Sequence, residues 1–397
     1  MLRAPQRHSA ARLLRGHLAA RARGTTDAAV MLRILIEAHH PAHIHFFKYA
    51  IRIWQERGDR VLLLGRDRDV MRRLLSAYGW IPSEIVSGTR RGNRFPLREM
   101  LLRQLAVARA VRSFRPSLVL SLMGSYTQAS RLLGVPNIIF TDSEFQSFNH
   151  RIAHPFASRI YTPRCFWKPL GPKQRRYAGY HELAFLHPAR FTPQRSVLER
   201  LMVNRASPGA PASTPANTAA NTAAHPAPKE YVVIRTSAWN TLHDIGQSGL
   251  GTHFDDLMAL LLPRYSVYIV PEGGQLAARW AAHRLTVPPD EYHDVLAFAA
   301  LVITEGASTA SEAACLGVPS VYVNTTRRGY LEDQERRYQL VYNFTDPAAA
   351  MRKIRELLAS PPDETELGSA RQRLIAEHID VTDYVVSELD RFAEATL

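Results

Sequence analysis

The chain has 397 residues, enough for two domains, and its 46% hydrophobic and 22% charged content is that of an ordinary globular protein. No apolar run approaches a membrane span, which argues against integral membrane insertion. Two cysteines, Cys165 and Cys315, lie far apart in no metal-ligand spacing, so a disulfide framework does not fit and a reducing cytoplasm does. A formal charge of +14 favours anionic partners: nucleotide diphosphates, polyprenyl phosphates or an acidic membrane face. The plainer account of that charge is a solvated basic surface. No zinc module, helix-turn-helix or basic helix with interleaved aromatics stands out, so no nucleic acid is expected.

Residues 1–30 are rich in Arg and Ala, with Asp27 the single acid. Their composition resembles a transit peptide. Because Met31 directly precedes the first strand, an upstream start codon is the simpler expectation, with a disordered or loosely helical extension. Leu32–Ala38 reads as a buried parallel strand. His39-His40-Pro41-Ala42-His43-Ile44-His45 follows, then a helix with Ile44, Phe47, Ile51 and Trp54 at helical spacing and Gly58 at its end. A strand over 60–64, a helix over 69–78 and a short strand at Ile85-Val86 come next. The strand–helix–strand order argues for a doubly wound parallel sheet. Thr89–Phe95 is a basic loop, Leu97–Phe114 an amphipathic helix, and Leu118–Leu122, Asn137–Phe140 and Ile160–Pro163 are strands. Polar residues at the C-terminal ends of such strands gather in one crevice, and His43, Ser125, Asp142 and Glu144 all fall there.

Residues 206–229 are Pro, Ala, Thr and Asn with almost no bulky apolar side chain, the composition of a flexible tether between domains. A second series starts at Tyr231–Arg235, a strand leading to Thr236-Ser237-Ala238-Trp239-Asn240 and to glycines at 246, 249 and 251. A helix over 254–262 and strands over 266–270 and 285–287 follow, and His293-Asp294 opens a helix. The most particular stretch is next: Leu301-Val302-Ile303, a buried strand, then Thr304-Glu305-Gly306-Ala307-Ser308-Thr309-Ala310-Ser311-Glu312, then Gly317-Val318-Pro319 and a strand at Val321–Val323. Gly306 lets the chain turn sharply and bring its backbone near a ligand. The helix after it points free N–H groups and the positive end of its dipole at that ligand, a phosphate site. Ser308, Thr309 and Ser311 add hydroxyls, and Glu312, one turn in, can accept hydrogen bonds from two ribose hydroxyls. Gly317 and Pro319 end the helix. The plainer reading is that any doubly wound domain needs a glycine turn between strand and helix. The helix over 347–359 and a final helix near 380–395 complete the chain.

The order Gly-Ala-x-Thr-x-Ser-Glu-x-Ala-x-x-Gly-x-Pro resembles the nucleotide-sugar motif in the C-terminal domain of GT-B glycosyltransferases. The closest likeness is to the peptidoglycan GlcNAc-transferase, with a looser one to UDP-GlcNAc 2-epimerase. His39–Lys48, Phe140–Glu144, Tyr177–Pro188 and Val341–Phe344 further resemble an uncharacterised prokaryotic family of GT-B-like proteins, domain of unknown function three hundred and fifty-four. The resemblance implies an α/β GT-B fold: two Rossmann-like doubly wound domains facing a central cleft. The expected division is a basic extension over 1–30, an acceptor domain over 31–205, the linker 206–229, a nucleotide-sugar domain over 230–380, and a helix over 381–397 crossing back to the first domain. The resemblance assigns the diphosphate to Gly306, Ala307, Ser308 and Thr309, the ribose to Glu312, and a second diphosphate-facing loop to Arg235 and Ser237; arginine pairs well with phosphate.

Three residues are candidates for the chemistry. By resemblance to the peptidoglycan transferase, His43 sits at the first helix's N-terminus, whose positive end keeps the imidazole neutral and able to take an acceptor proton. The alternative is a capping or solvent-facing histidine. His43 and His45, two apart on a helix, point in nearly opposite directions, so no metal is expected. Asp142 and Glu144 could remove a sugar proton or assist loss of the nucleotide; equally, Asp142 or Ser143 could cap the next helix. Tyr180, His181 and Glu182 read as a hinge contact. The leading expectation is a metal-independent, inverting glycosyltransferase without a cofactor, its substrate a nucleotide-diphosphate sugar. It would be cytoplasmic, with an anionic lipid or membrane surface as a further partner. A nucleotide-sugar 2-epimerase and a non-catalytic GT-B-shaped binding protein stand as alternatives.

Overall fold

The computed structural model describes residues 31–66, 69–80, 84–86, 96–122, 124, 127–203, 229–237, 250–272 and 276–396. The N-terminal extension, the basic loop at 89–95, Ser125, most of the Ala/Pro tether, Trp239 and the glycines at 246 and 249 lie outside them. The first half runs β1 (Arg33–Ala38), α1 (Pro41–Glu56), β2 (Arg60–Arg66), α2 (Asp69–Ala77), β3 (Glu84–Val86), α3 (Pro96–Phe114), β4 (Leu118–Leu122), α4 (Thr127–Leu132), β5 (Asn137–Phe140), α5 (Ser147–Ile152), β6 (Arg159–Pro163), β7 (Gln174–Tyr177), α6 (Leu183–Leu186) and α7 (Val197–Val203). The second runs β8 (Tyr231–Thr236), α8 (Phe254–Leu261), β9 (Ser266–Pro271), α9 (Tyr292–Ala297), β10 (Leu301–Thr304), α10 (Ala307–Leu316), β11 (Ser320–Val323), α11 (Gly329–Tyr338), β12 (Val341–Phe344), α12 (Pro347–Ala359), α13 (Glu364–Ala376) and α14 (Val381–Thr396).

Among the described residues the strands form two all-parallel sheets, β3-β2-β1-β4-β5-β6-β7 and β12-β11-β10-β8-β9. Both orders turn back where the first strand of each half sits in the interior, as doubly wound sheets do. The strands are apolar runs because helices cover both faces. Behind β8 and β10, Val232, Ile234, Ile303 and Val321 pack against Leu257 and Leu261 of α8 and Ile354 of α12. On α1, Ile44, Phe47, Ile51 and Trp54 are all buried, at the spacing read from the sequence. The last helix, α14, buries Val381, Val385, Leu389 and Phe392 and lies on α1 and α6 of the first half.

Three elements differ from the sequence reading. Leu285–Val287 is not a strand: one bridge joins Arg284 to Ile269, and Pro288 and Pro289 follow, which lack the N–H groups a ladder needs. Strand β7 exists despite its Gln-Arg-Arg-Tyr sequence, because only Tyr177 is buried and the arginines face outward. Helix α11 is charged over most of its length, and its buried face includes Asp333 and Gln334.

In a parallel βα array each helix starts at the C-terminal edge of its sheet. The N-termini of α1, α10 and α11 therefore open toward the same crevice, where the halves touch through polar pairs. Tyr180 Oη donates to Asp333 Oδ2 (2.6 Å), Ser311 Oγ donates to Glu182 Oε2 (2.8 Å), and the Gly329 amide donates to Glu144 Oε2 (3.4 Å).

Candidate active site

The second half supplies an anion-binding wall. Helix α10 begins after Gly306 with no side chain capping its first turn. The Gly306 amide itself is taken by Thr304 Oγ1 at 2.9 Å, so the donors left facing out are those of Ala307, Ser308 and Thr309. One expectation is corrected here. Gly306 has φ −98° and ψ 117°, extended backbone open to any residue, so no sharp turn demands glycine. A Cβ there would meet Thr304 Oγ1 and Arg235 Nε only at ordinary distances, 3.5 and 3.6 Å. Gly317, in contrast, is left-handed (φ 78°) and closes the helix as the sequence indicated.

Arg235, at the end of β8, reaches this helix start and donates from Nη1 to Thr309 Oγ1 (2.8 Å). A guanidinium beside the positive end of a helix is an electrostatically unfavourable pairing unless an anion lies between them. The Tyr292 phenol flanks Arg235, and burial raises its pKa, so it stays protonated. The Ser237 amide does not face the crevice freely: it donates to Glu305 Oε2 (2.6 Å), whose Oε1 accepts from the Leu250 amide (2.7 Å). Ser237 is thus a splint of the wall, and Glu305, unnoticed in the sequence, is the residue that braces it. Asn324 steadies the same turn by donating from Nδ2 to the Glu305 carbonyl (3.1 Å).

Glu312 lies one turn into α10 and is 5% exposed. Its Oε1 is 3.2 Å from His293 Nε2, close but off the axis of a regular hydrogen bond, and its Oε2 makes no hydrogen bond among the described residues. A buried carboxylate oxygen without a donor is costly, and a ligand hydroxyl would satisfy it.

The first half supplies the opposite wall, rich in carboxyls and imidazoles. His43 is buried near the start of α1, and burial, helped by His39 and His181, lowers its pKa to about 3. Its Nδ1 accepts from the His39 amide (3.3 Å), so in the neutral ring Nε2 carries the hydrogen. His43 therefore presents an N–H donor, where the sequence reading had it as a base; the cap of α1 is His40, whose Nδ1 accepts from the Ala42 amide (3.2 Å). Burial pushes Asp142 up, but His181 and the Ser143 hydroxyl outweigh it and hold the carboxylate at about 2. His181 Nδ1 lies 3.2 Å from Asp142 Oδ2, and its buried Nε2 makes no hydrogen bond among the described residues. Of the Tyr180-His181-Glu182 stretch expected at the hinge, Tyr180 and Glu182 do bond across to the second half, while His181 pairs with Asp142 within the first. Its signal, His181-Glu182 after Tyr180, was present but carried no spacing that named a role.

Glu144 sits where burial raises its carboxyl to about 7, against the pull of the Gly329 amide. Glu37 and Glu182 are also pushed up by burial, and Glu182 is engaged by the Ser311 hydroxyl. His45 faces away from His43, toward Tyr78 (Oη to Nδ1 3.3 Å) and onto the His293 ring at 4.7 Å, so the two imidazoles serve different sides of α1.

No family model matches the sequence, and a search of curated proteins finds no match. Solved structures do match. The UDP-GlcNAc 2-epimerase of Neisseria meningitidis, bound to UDP-GlcNAc, superposes with a TM-score of 0.64 at 12% identity over 91% of this chain and 100% of that one. The Methanocaldococcus jannaschii UDP-GlcNAc 2-epimerase, in complex with UDP-GlcNAc and UDP, gives 0.56 at 9% over 87% and 99%. The glycosyltransferase SnogD of Streptomyces nogalater gives 0.52 at 16% over 92% and 100%. At these identities the likeness is one of fold, and together with the two parallel sheets it makes this an α/β, two-lobed GT-B fold.

Proposed function

We propose that the protein binds a nucleotide-diphosphate sugar and transfers its sugar to a hydroxyl acceptor. The carrying observation is Arg235 beside the uncapped start of α10, with the unsatisfied Oε2 of Glu312 one turn further in. The spacing suits a diphosphate on Ala307, Ser308, Thr309 and Arg235 and a ribose on Glu312. The epimerases above are solved with UDP-GlcNAc or UDP, which agrees with this class of ligand.

In the proposed step, His181 Nε2 takes the acceptor's hydroxyl proton while Asp142 holds the other nitrogen and stabilises the imidazolium. The acceptor oxygen bonds to the anomeric carbon, the bond from that carbon to the phosphate oxygen breaks, and the diphosphate leaves with the electron pair. Arg235 and the α10 dipole stabilise that departing charge. His43 donates from Nε2 to the sugar or acceptor.

A second reading, 2-epimerisation, is favoured by one observation: Glu144, at about 7, could act as acid or base toward the sugar without any acceptor. Incubating the protein with UDP-, GDP- and dTDP-sugars one at a time separates the two. A new epimer with no acceptor present means epimerisation; turnover that needs an added hydroxyl acceptor, or nucleotide released together with free sugar by transfer to water, means transfer.

Binding is tested by thermal shift with UDP, GDP, ADP and dTDP. At least one should raise the melting temperature. Arg235→Ala should weaken that nucleotide by about 10- to 100-fold, the worth of a charge-assisted phosphate contact. If none shifts the wild type, or if Arg235→Ala and Glu312→Ala respond as fully as wild type, the proposal is lost. His181→Ala should cut turnover by roughly 100- to 10,000-fold with nucleotide affinity unchanged.

A further inference from the structure

We infer that His293 is a positioning residue for Glu312, and that it is itself held by the other lobe, so that the grip on ribose depends on the lobes being together. The inference rests on the proposed contact between Glu312 and ribose.

The geometry is that of a braced carboxylate. Glu312 Oε1 lies 3.2 Å from His293 Nε2, within ion-pair distance though off the axis of a hydrogen bond, and Oε2 makes no hydrogen bond among the described residues, so it keeps its lone pairs for a ligand. The ring limits where the three rotatable bonds of the buried Glu312 side chain can carry its carboxyl group. His293 is 1% exposed and sits at the start of α9, in the second lobe. Three of its aromatic neighbours come from the first lobe, and Tyr292, at 5.8 Å, comes from its own. The His45 ring meets it edge-on at 4.7 Å, and Phe185 and Phe191 lie at 5.1 and 6.3 Å. His45 is fixed in turn by Tyr78, whose hydroxyl is 3.3 Å from its Nδ1 and 3.5 Å from Lys48 Nζ. Parting the lobes strips His293 of three aromatic neighbours, and the brace on Glu312 goes with them.

This arrangement makes a distinction that diphosphate binding alone does not. Losing His293 should harm recognition of the ribose hydroxyls and leave the phosphate contacts of α10 intact. The test is calorimetric titration of the full chain with UDP, or whichever of UDP, GDP, ADP and dTDP shifts the melting temperature most. Its 2′,3′-dideoxy counterpart, or for dTDP the ribose form against the dideoxy form, is titrated alongside.

Wild type should prefer the hydroxylated form by on the order of tenfold. In His293→Phe, which keeps a ring but no donor, that preference should fall toward one while affinity for the dideoxy form stays as in wild type. His293→Gln, which restores an N–H, should recover part of the preference. His45→Ala should lower it by a smaller factor. His293→Phe or His293→Gln with the full wild-type preference overturns the inference and leaves the proposed function standing. A wild type that binds no nucleotide, or binds both forms equally, removes the Glu312 contact and this inference with it. Melting curves without ligand check folding; should His293→Phe not fold, His293→Gln and His45→Ala decide, and a full preference in both overturns the proposal.

Discussion

At the scale of single residues, Glu144 gives the clearest pH signature. Its folded pKa is raised from 4.5 to about 7, chiefly by burial. Between those values the folded chain keeps a proton that the unfolded chain has lost. Its contribution is complete below about 4.5 and is lost as pH rises through about 7. Glu144→Gln still offers the Gly329 amide an acceptor and cannot ionise. Its stability relative to wild type should therefore be lowest near pH 4 and improve by about 2 kcal/mol by pH 8, measured by urea unfolding at both pH values. A constant difference across that range would refute the assignment. At this scale the sequence was only partly legible. The positions of Arg235 at the end of β8 and of Glu312 one turn into α10 could be read, because each follows a strand at motif spacing. The arrangement behind the proposed roles of His43 and His181 could not be read, since it depends on which ring nitrogen the His39 amide and Asp142 each lie against.

Elements were legible in proportion to how apolar their buried faces are. Strands β1, β8 and β10 announce themselves as continuous aliphatic runs, and α10 by the glycines at both its ends. Helix α11 does not, because it buries Asp333 and Gln334 against the other lobe and against Ser311. Its first residue carries the sharpest constraint in the crevice. A Cβ on Gly329 would overlap the Cys165 carbonyl oxygen, which is backbone and cannot swing aside, as well as the side-chain oxygen Glu144 Oε1. Gly329→Ala should cost about 1–3 kcal/mol by forcing α11 away from the β6–β7 turn. It should also loosen the lobe contact enough to speed amide exchange on both sides of it. Gly317→Ala should cost at least about 1 kcal/mol for a different reason, its left-handed backbone, and should leave exchange at that contact unchanged.

For the whole molecule, alternation of strand and helix was enough to foresee two parallel sheets, because each βα unit is locally encoded. How tightly the lobes engage was not, since pairs such as Tyr180 and Asp333 are 153 residues apart and no periodicity links them. Helix α14 ties this scale together. Leu389, 2% exposed, is buried on the helix that returns to α1 and α6. Leu389→Ala should cost about 2–5 kcal/mol. If the lobes unfold as one unit, near- and far-ultraviolet circular dichroism should lose signal together at a lower denaturant midpoint. Two separated transitions would show that α14 does not couple them.

The meeting of three helix starts in one crevice has a consequence at long range. The three helix starts turn the positive ends of their peptide dipoles toward the crevice and so offset the acidic side chains that line it, among them Asp142, Glu144 and Glu312, in a chain of formal charge +14; the expectation is a net pull on anions. An anionic ligand would be drawn in before it touches any side chain. Such steering acts over a Debye length, about 10 Å at 0.1 M ionic strength. Stopped-flow association of a nucleoside diphosphate should accordingly slow steeply between 20 and 300 mM salt, roughly, while dissociation changes little.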